Sequence, residues 1–142
     1  MSQRTPIHFS TLTSAQKSLL LISAIGAIAG MVECAFGIVT FLSDPNPAYA
    51  ASGMDPAFGR ALEGGMYLAV AVVQWWLAWM GWTALSDSKR LTPLVITGGI
   101  VSAFCVLALL GELGQGGISL EDLAFIVPIF TWASALTVKR AA

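Results

Sequence analysis

The chain has 142 residues, 56% of them hydrophobic and only 11% charged, where an ordinary soluble domain carries about 25% charged residues. Seven basic and eight acidic side chains leave a formal net charge of −1, so there is no basic surface to hold nucleic acid. One histidine, His8, excludes a bis-histidine haem and speaks against a zinc or di-iron centre. The two cysteines, Cys34 and Cys105, form no C-x-x-C pair, and no disulfide framework is expected.

The apolar residues fall into four runs, Leu19 to Leu42, Met66 to Leu85, Leu94 to Leu110 and Leu123 to Val138. A bilayer span takes about 20 mostly apolar residues, within a range of roughly 17 to 25, so the pattern predicts an all-α bundle of four transmembrane helices. Residues 1–16 read as a polar tail on the cytoplasmic side and residues 17–142 as one four-helix membrane domain. Thr13-Ser14-Ala15-Gln16 has the form of a capping box at the start of the first helix. Ser43-Asp44-Pro45 stops that helix, and the stretch from Ser43 to Met54 reads as the longest external loop. Within it Ala48-Tyr49-Ala50 resembles a small-x-small processing site. The preceding apolar run far exceeds the roughly 7 to 15 residues of a signal-peptide core, so a retained span is expected.

Asp55-Pro56 and Thr92-Pro93 read as an N-cap followed by the proline tolerated in the first turn, at the second and third helices. Gly114-Gln115-Gly116-Gly117 stops the third, and Ser119-Leu120-Glu121-Asp122 opens the fourth. Arg4 and Lys17 precede the first run, Lys89 and Arg90 join the second and third, and Lys139 and Arg140 follow the fourth. Six of the seven basic residues therefore lie on one side, which predicts both termini in the cytoplasm. Arg60 alone lies on the other side, among acids.

Helices in lipid associate through small residues and polar contacts. On the first helix Gly26, Gly30 and Gly37 share a stripe with Glu33; on the second, Arg60, Glu63, Gly64, Tyr67, Ala71, Gln74 and Ala78 share a face. Gly98, Ser102, Cys105 and Glu112 do so on the third, and Ala124, Pro128, Thr131 and Ala135 on the fourth. Pro128 has no N–H, which leaves the carbonyl of Ala124 without its helical partner. Counted from the outer helix ends, Glu33, Gln74, Cys105 and Pro128 fall in one layer about 12 Å deep. This predicts a polar intramembrane pocket of Glu33, Arg60, Tyr67, Gln74 and Cys105, entered from outside.

Glu33 is the one acid well inside a span. Such a carboxyl either handles protons, cations or a polar head group, or is a neutral residue bonded between helices. Arg60 either grips an anionic group or pairs with Glu63, its i+3 neighbour, and pairing is the simpler expectation. Trp75, Trp76, Trp79 and Trp82 read as a surface for lipid or a partner subunit. The buried thiols read as small packing groups.

The stretch Arg60-Ala61-Leu62-Glu63-Gly64-Gly65-Met66-Tyr67 resembles the entry to the second helix of small DoxX-like four-helix bacterial membrane proteins. The resemblance implies the four-helix fold and the bacterial inner membrane, with some members linked to quinone-associated redox complexes. Glu112 stands where a basic residue is expected in that group. No nucleophile–base pair is evident, so the leading expectation is a non-catalytic accessory subunit of a larger membrane complex, with a lipid or quinone as its ligand and no resident cofactor. A proton-coupled transporter or channel oligomer using Glu33 is the alternative. An enzyme acting on a lipophilic substrate through Glu33, Tyr67 or Cys105 is the third.

Overall fold

The computed structural model of the chain describes residues 9–115 and 124–141. After a 3-10 turn at Phe9–Thr11 come α1 (Ser14–Leu42), α2 (Pro47–Ala51) and α3 (Pro56–Ser86). A second 3-10 turn at Ser88–Arg90 leads into α4 (Leu91–Gln115), and α5 spans Ile126–Ala141. No strand occurs among the described residues.

Local chemistry sets most of the boundaries. Thr13 caps α1 through the full reciprocal box: its side chain accepts from the Gln16 N–H, and the Gln16 side chain accepts from the Thr13 N–H. The helix thus begins at Ser14, three residues before the expected start of the membrane domain. Asp55 accepts from the Phe58 N–H at 2.8 Å, and Pro56 occupies the first helical position where no N–H is required. Two boundaries differ from expectation. The external segment is not all loop, because Asn46 caps Ala48 ahead of Pro47 and so starts the short α2. Thr92 does not cap α4, because Asp87 already accepts from the Lys89 N–H and the chain is helical from Ser88 onward. Pro93 then lies in the first turn of α4, where a missing donor costs nothing. The expected start at Ser119 to Asp122 and the glycines 116 and 117 lie outside the described residues.

Three helical segments are long and apolar enough to cross a membrane: Ser14–Leu42, Pro56–Ser86 and Ser88–Gly111. The run expected as a fourth span is described as α5, whose 16 residues cover about 24 Å at 1.5 Å per residue, less than the roughly 30 Å of a hydrocarbon core.

The distribution of side chains is that of a membrane protein. The buried residues of α1 are Leu19, Ser23, Gly26, Gly30, Glu33 and Gly37, while Ile28, Met31, Phe36 and Val39 on the same helix are exposed. Large apolar groups face outward and small or polar ones inward, the reverse of what water would select and what lipid permits. The alternation of four- and three-residue steps along that buried stripe keeps one seam facing a partner over the helix length.

That partner is α3, and α5 packs on both α1 and α4. The α1/α3 pair is antiparallel and in register throughout. Gly26 lies against Ala78 and the Gln74 carbonyl, Gly30 against Trp75 and the Ala71 carbonyl, and Gly37 against Leu68 and the Gly64 carbonyl. At the C-terminal end of α1 the Arg60 guanidinium donates to the Ser43 carbonyl at 2.7 Å. Gly98 and Gly99 of α4 make room for Trp132 of α5. Toward the other end, Leu19, Leu77, Met80, Leu94 and Ala135 close an apolar core shared by all four long helices. By contrast α3 and α4 touch little, and the ring of helices is loosest there.

Candidate functional site

The loose seam holds a cavity of about 400 Å3. Met66, Val70 and Gln74 line it from α3, Val101, Phe104 and Cys105 from α4, and Ala124, Phe125 and Pro128 from the start of α5. Met66 is 61% exposed and Phe104 70%, so the rim opens onto the apolar outer surface of the bundle. The wall is apolar apart from Gln74 and the weakly polar Cys105 thiol.

The position of Gln74 is set from three directions. Gly26 of α1 lets both the α3 backbone at Gln74 and the Val127 side chain of α5 come close, with 3.9 and 3.5 Å left for a β-carbon. Pro128 supplies no N–H to its own helix, so the Ala124 carbonyl is free to accept, and it takes the Gln74 Nε2–H at 3.1 Å. The carbonyl of Pro128 accepts from the buried Ser102 hydroxyl of α4 at 3.2 Å. The start of α5 thus anchors both neighbours, α3 through the carbonyl that the proline leaves free and α4 through the proline's own carbonyl. A carbonyl can only accept, so nitrogen is the amide atom that meets Ala124. The Gln74 oxygen, in a residue 1% exposed, is buried with no hydrogen-bond partner.

Of the five residues expected in one pocket, the structure brings Gln74 and Cys105 into this cavity, together with Pro128. Glu33, Arg60 and Tyr67 are not part of its lining. Glu33 is buried, 6% exposed, and the register of α1 on α3 sets it opposite the turn from Tyr67 to Ala71. The Tyr67 ring lies 5.9 Å from that of Phe36, the residue three places beyond Glu33 on α1. Glu33 and Tyr67 both make interactions of their own. They belong to the α1/α3 seam and not to the cavity wall.

Arg60 and Glu63 do not pair, contrary to expectation. Arg60 reaches the Ser43 carbonyl at the end of α1, and Glu63 accepts from the Tyr49 hydroxyl of α2 at 2.6 Å. The carboxylate acceptor, with a smaller contribution from burial and from its charge, holds the Tyr49 phenol above its ordinary pKa. The Tyr49 ring also lies where a β-carbon on Gly59 would go, so α2 is laid against the N-terminal end of α3. Two points of the segment between α1 and α3 are therefore fastened to α3, Ser43 by the Arg60 guanidinium and Tyr49 by the Glu63 carboxylate.

The tryptophans divide. Trp75 covers Gly30, and its Nε1–H donates to the Ala27 carbonyl at 3.1 Å, which clasps α3 to α1. Trp76, Trp79 and Trp82 face outward, and the Arg90 guanidinium stands 5.3 Å from the Trp79 ring, an arrangement suited to the level of lipid head groups. Cys34 and Cys105 are both free thiols. No group of three or more His, Cys, Asp or Glu placed to hold a metal occurs among the described residues.

Sequence reasoning did not single out Tyr49, Ser23 or Trp132. Asn46-Pro47 carries the same cap-and-proline signal as Asp55-Pro56 and would have found the helix that presents Tyr49. Ser23, which occupies the space left open by Gly81 of α3, and Trp132 carry no such signal, because their roles depend on which helices become neighbours. Comparison with profiles of known protein families, with curated proteins and with solved structures finds no match for the chain.

Proposed function

We propose that the chain is a DoxX-like protein of the bacterial inner membrane, with four spans and both termini in the cytoplasm, that serves as a non-catalytic accessory subunit and holds a lipophilic small molecule between α3 and α4. The observation that carries this reading is the cavity at the loosest seam of the bundle: apolar, open toward lipid, and of a size within the roughly 300–1,000 Å3 of small-molecule sites. Gln74 and Cys105 in its wall form no nucleophile–base pair, which favours holding a molecule over transforming it. The outward face of Trp76, Trp79 and Trp82 offers broad, rigid aromatic area of the kind found at subunit and head-group contacts. Native electrophoresis of gently solubilised source membranes tests the subunit reading. It predicts migration with a larger assembly that a Trp76→Ala/Trp82→Ala variant no longer joins; migration as a lone chain in both cases contradicts it.

A proton-handling role is favoured by one feature, the burial of Glu33 inside a membrane-type helix. It predicts that reconstituted protein carries a proton flux that Glu33→Gln abolishes. Equal flux in the two proteins rejects it.

A further inference from the structure

The α3/α4 cavity constrains its ligand by what it withholds. Among the described residues no charged side chain lines it, and its one amide is closed to a ligand: Gln74 Nε2 donates to the Ala124 carbonyl, and Oε1 is buried with almost no accessible surface. The Ser102 hydroxyl and the Pro128 carbonyl bond each other. Of the lining side chains only the Cys105 thiol remains, a weak donor and a weak acceptor. A carbonyl or hydroxyl group carried into the cavity would go without a hydrogen-bond partner, a cost that hydrocarbon does not incur. Shape points the same way. The lining runs from Met66 to Gln74 on α3 and from Val101 to Ala108 on α4, about 12 Å along the helix axis. It is a slot lying lengthwise between two membrane-type helices, open beside Met66 and Phe104 onto the apolar outer surface. At about 30 Å3 per heavy atom, 400 Å3 holds about 13 carbon atoms, most of a fatty chain. A quinone ring would also fit that volume, so polarity rather than size excludes it.

We propose that the α3/α4 cavity takes the acyl chain of a membrane lipid, inserted sideways through the opening beside Met66 and Phe104, with the polar head group left outside. This rests on the reading above that the cavity holds a ligand, and narrows it: the ligand offers the cavity only carbon and hydrogen, and a quinone ring stays out.

The test uses the full chain in lipid nanodiscs, with occupancy read by native mass spectrometry for three probes. Tetradecanoic acid has a chain that fills the cavity, 14-hydroxytetradecanoic acid carries a hydroxyl to the buried end, and 2,3-dimethoxy-5-methyl-1,4-benzoquinone is a quinone ring without a tail. The plain chain binds, the hydroxylated chain binds at least about tenfold more weakly, the scale of burying one unpaired hydroxyl, and the ring does not bind. Ala108→Phe on α4 and Ala69→Phe on α3 fill the slot from opposite walls, and each abolishes binding. Ala69 is exposed and Ala108 half-buried, so neither substitution enters the buried core, and either variant decides should the other fail to fold. A hydroxylated chain that binds as well as the plain one, or a ring whose binding is lost in Ala108→Phe, overturns the hydrocarbon inference while leaving a ligand-holding cavity. Chain binding that survives both substitutions overturns its location. A dimer that either substitution splits, with no chain released, gives the cavity to a second copy of this protein and overturns it too. No binding by any of the three probes removes the cavity reading and this inference with it.

Discussion

Gly26 and Gly30 lie one turn apart on the same buried stripe of α1, yet replacement of each by alanine is expected to act in opposite directions. A β-carbon at Gly26 would meet its nearest neighbours at 3.5 Å or more, ordinary contact distance. At Gly30 it would stand 2.7 Å from two atoms of the Trp75 indole and 3.1 Å from the Ala71 carbonyl, which is backbone and cannot swing away. Relief at Gly30 therefore requires the indole to move, and its hydrogen bond to Ala27 goes with it. Alanine in a helix interior is worth about 0.5–1 kcal/mol over glycine, so Gly26→Ala should be neutral or stabilising by up to that amount. For Gly30→Ala the same gain is set against about 1–3 kcal/mol of overpacking and about 1 kcal/mol for the lost hydrogen bond, a net loss of about 1–3 kcal/mol. The two variants should differ by roughly 2–4 kcal/mol in a detergent unfolding titration followed by tryptophan fluorescence. Equal stabilities would refute the register assigned to α1 and α3, because that register alone distinguishes the two glycines.

Other predictions follow from the same contacts. Gln74→Leu strands the Ala124 carbonyl and should destabilise by about 1–2 kcal/mol, but by less in a Pro128→Ala background, where the restored N–H can serve that carbonyl; a double-mutant cycle should give a coupling of at least about 0.5 kcal/mol, and additivity would contradict the link. Tyr49→Phe and Glu63→Gln should each lower the unfolding midpoint, and the double variant should lower it no further than either alone. The folded state binds the Tyr49 proton more tightly than the unfolded chain does, so the stabilisation is full below the ordinary phenol value near 10 and is lost as pH rises through the raised one. Difference absorbance of the phenolate in a Tyr67→Phe background should show that late titration; a midpoint at or below the ordinary value would contradict the contact. For the proposed orientation, Asn46→Cys should react with an impermeant maleimide only from outside intact cells and Ser88→Cys only after lysis, in a background without the native cysteines. Labelling of both from the same side would rule it out.

Periodic features were legible in the sequence. The stripe of Gly26, Gly30, Glu33 and Gly37 could be read because helical spacing and small size together identify a seam, and Thr13 because a capping box is local. The orphaned Ala124 carbonyl could be read from Pro128 alone. Its partner could not, since Gln74 lies fifty residues away and only the neighbourhood of α3 and α5 joins them. The same limit explains why one expected pocket became two places. Depth counted along each helix sets Glu33, Gln74 and Cys105 at similar levels, but depth does not say which pair of helices each lies between. Arg60 and Glu63 failed to pair for a related reason: spacing offered them to each other, while Ser43 and Tyr49, supplied by other elements, were the better-placed partners. Thr92-Pro93 shows the converse, a correct local signal overridden because the chain before it was already helical.

If the α3/α4 cavity holds a lipophilic small molecule, that molecule should leave the membrane with the protein, and an aromatic ring at Ala108 in its wall should exclude it. Native mass spectrometry of the protein released gently from its own membranes tests it most directly, with the retained small molecule identified by fragmentation and the Ala108→Phe variant measured alongside. The expected result is one apolar adduct on the unaltered protein and none on the variant. A protein that flies without an adduct, or with one that Ala108→Phe leaves in place, would contradict it.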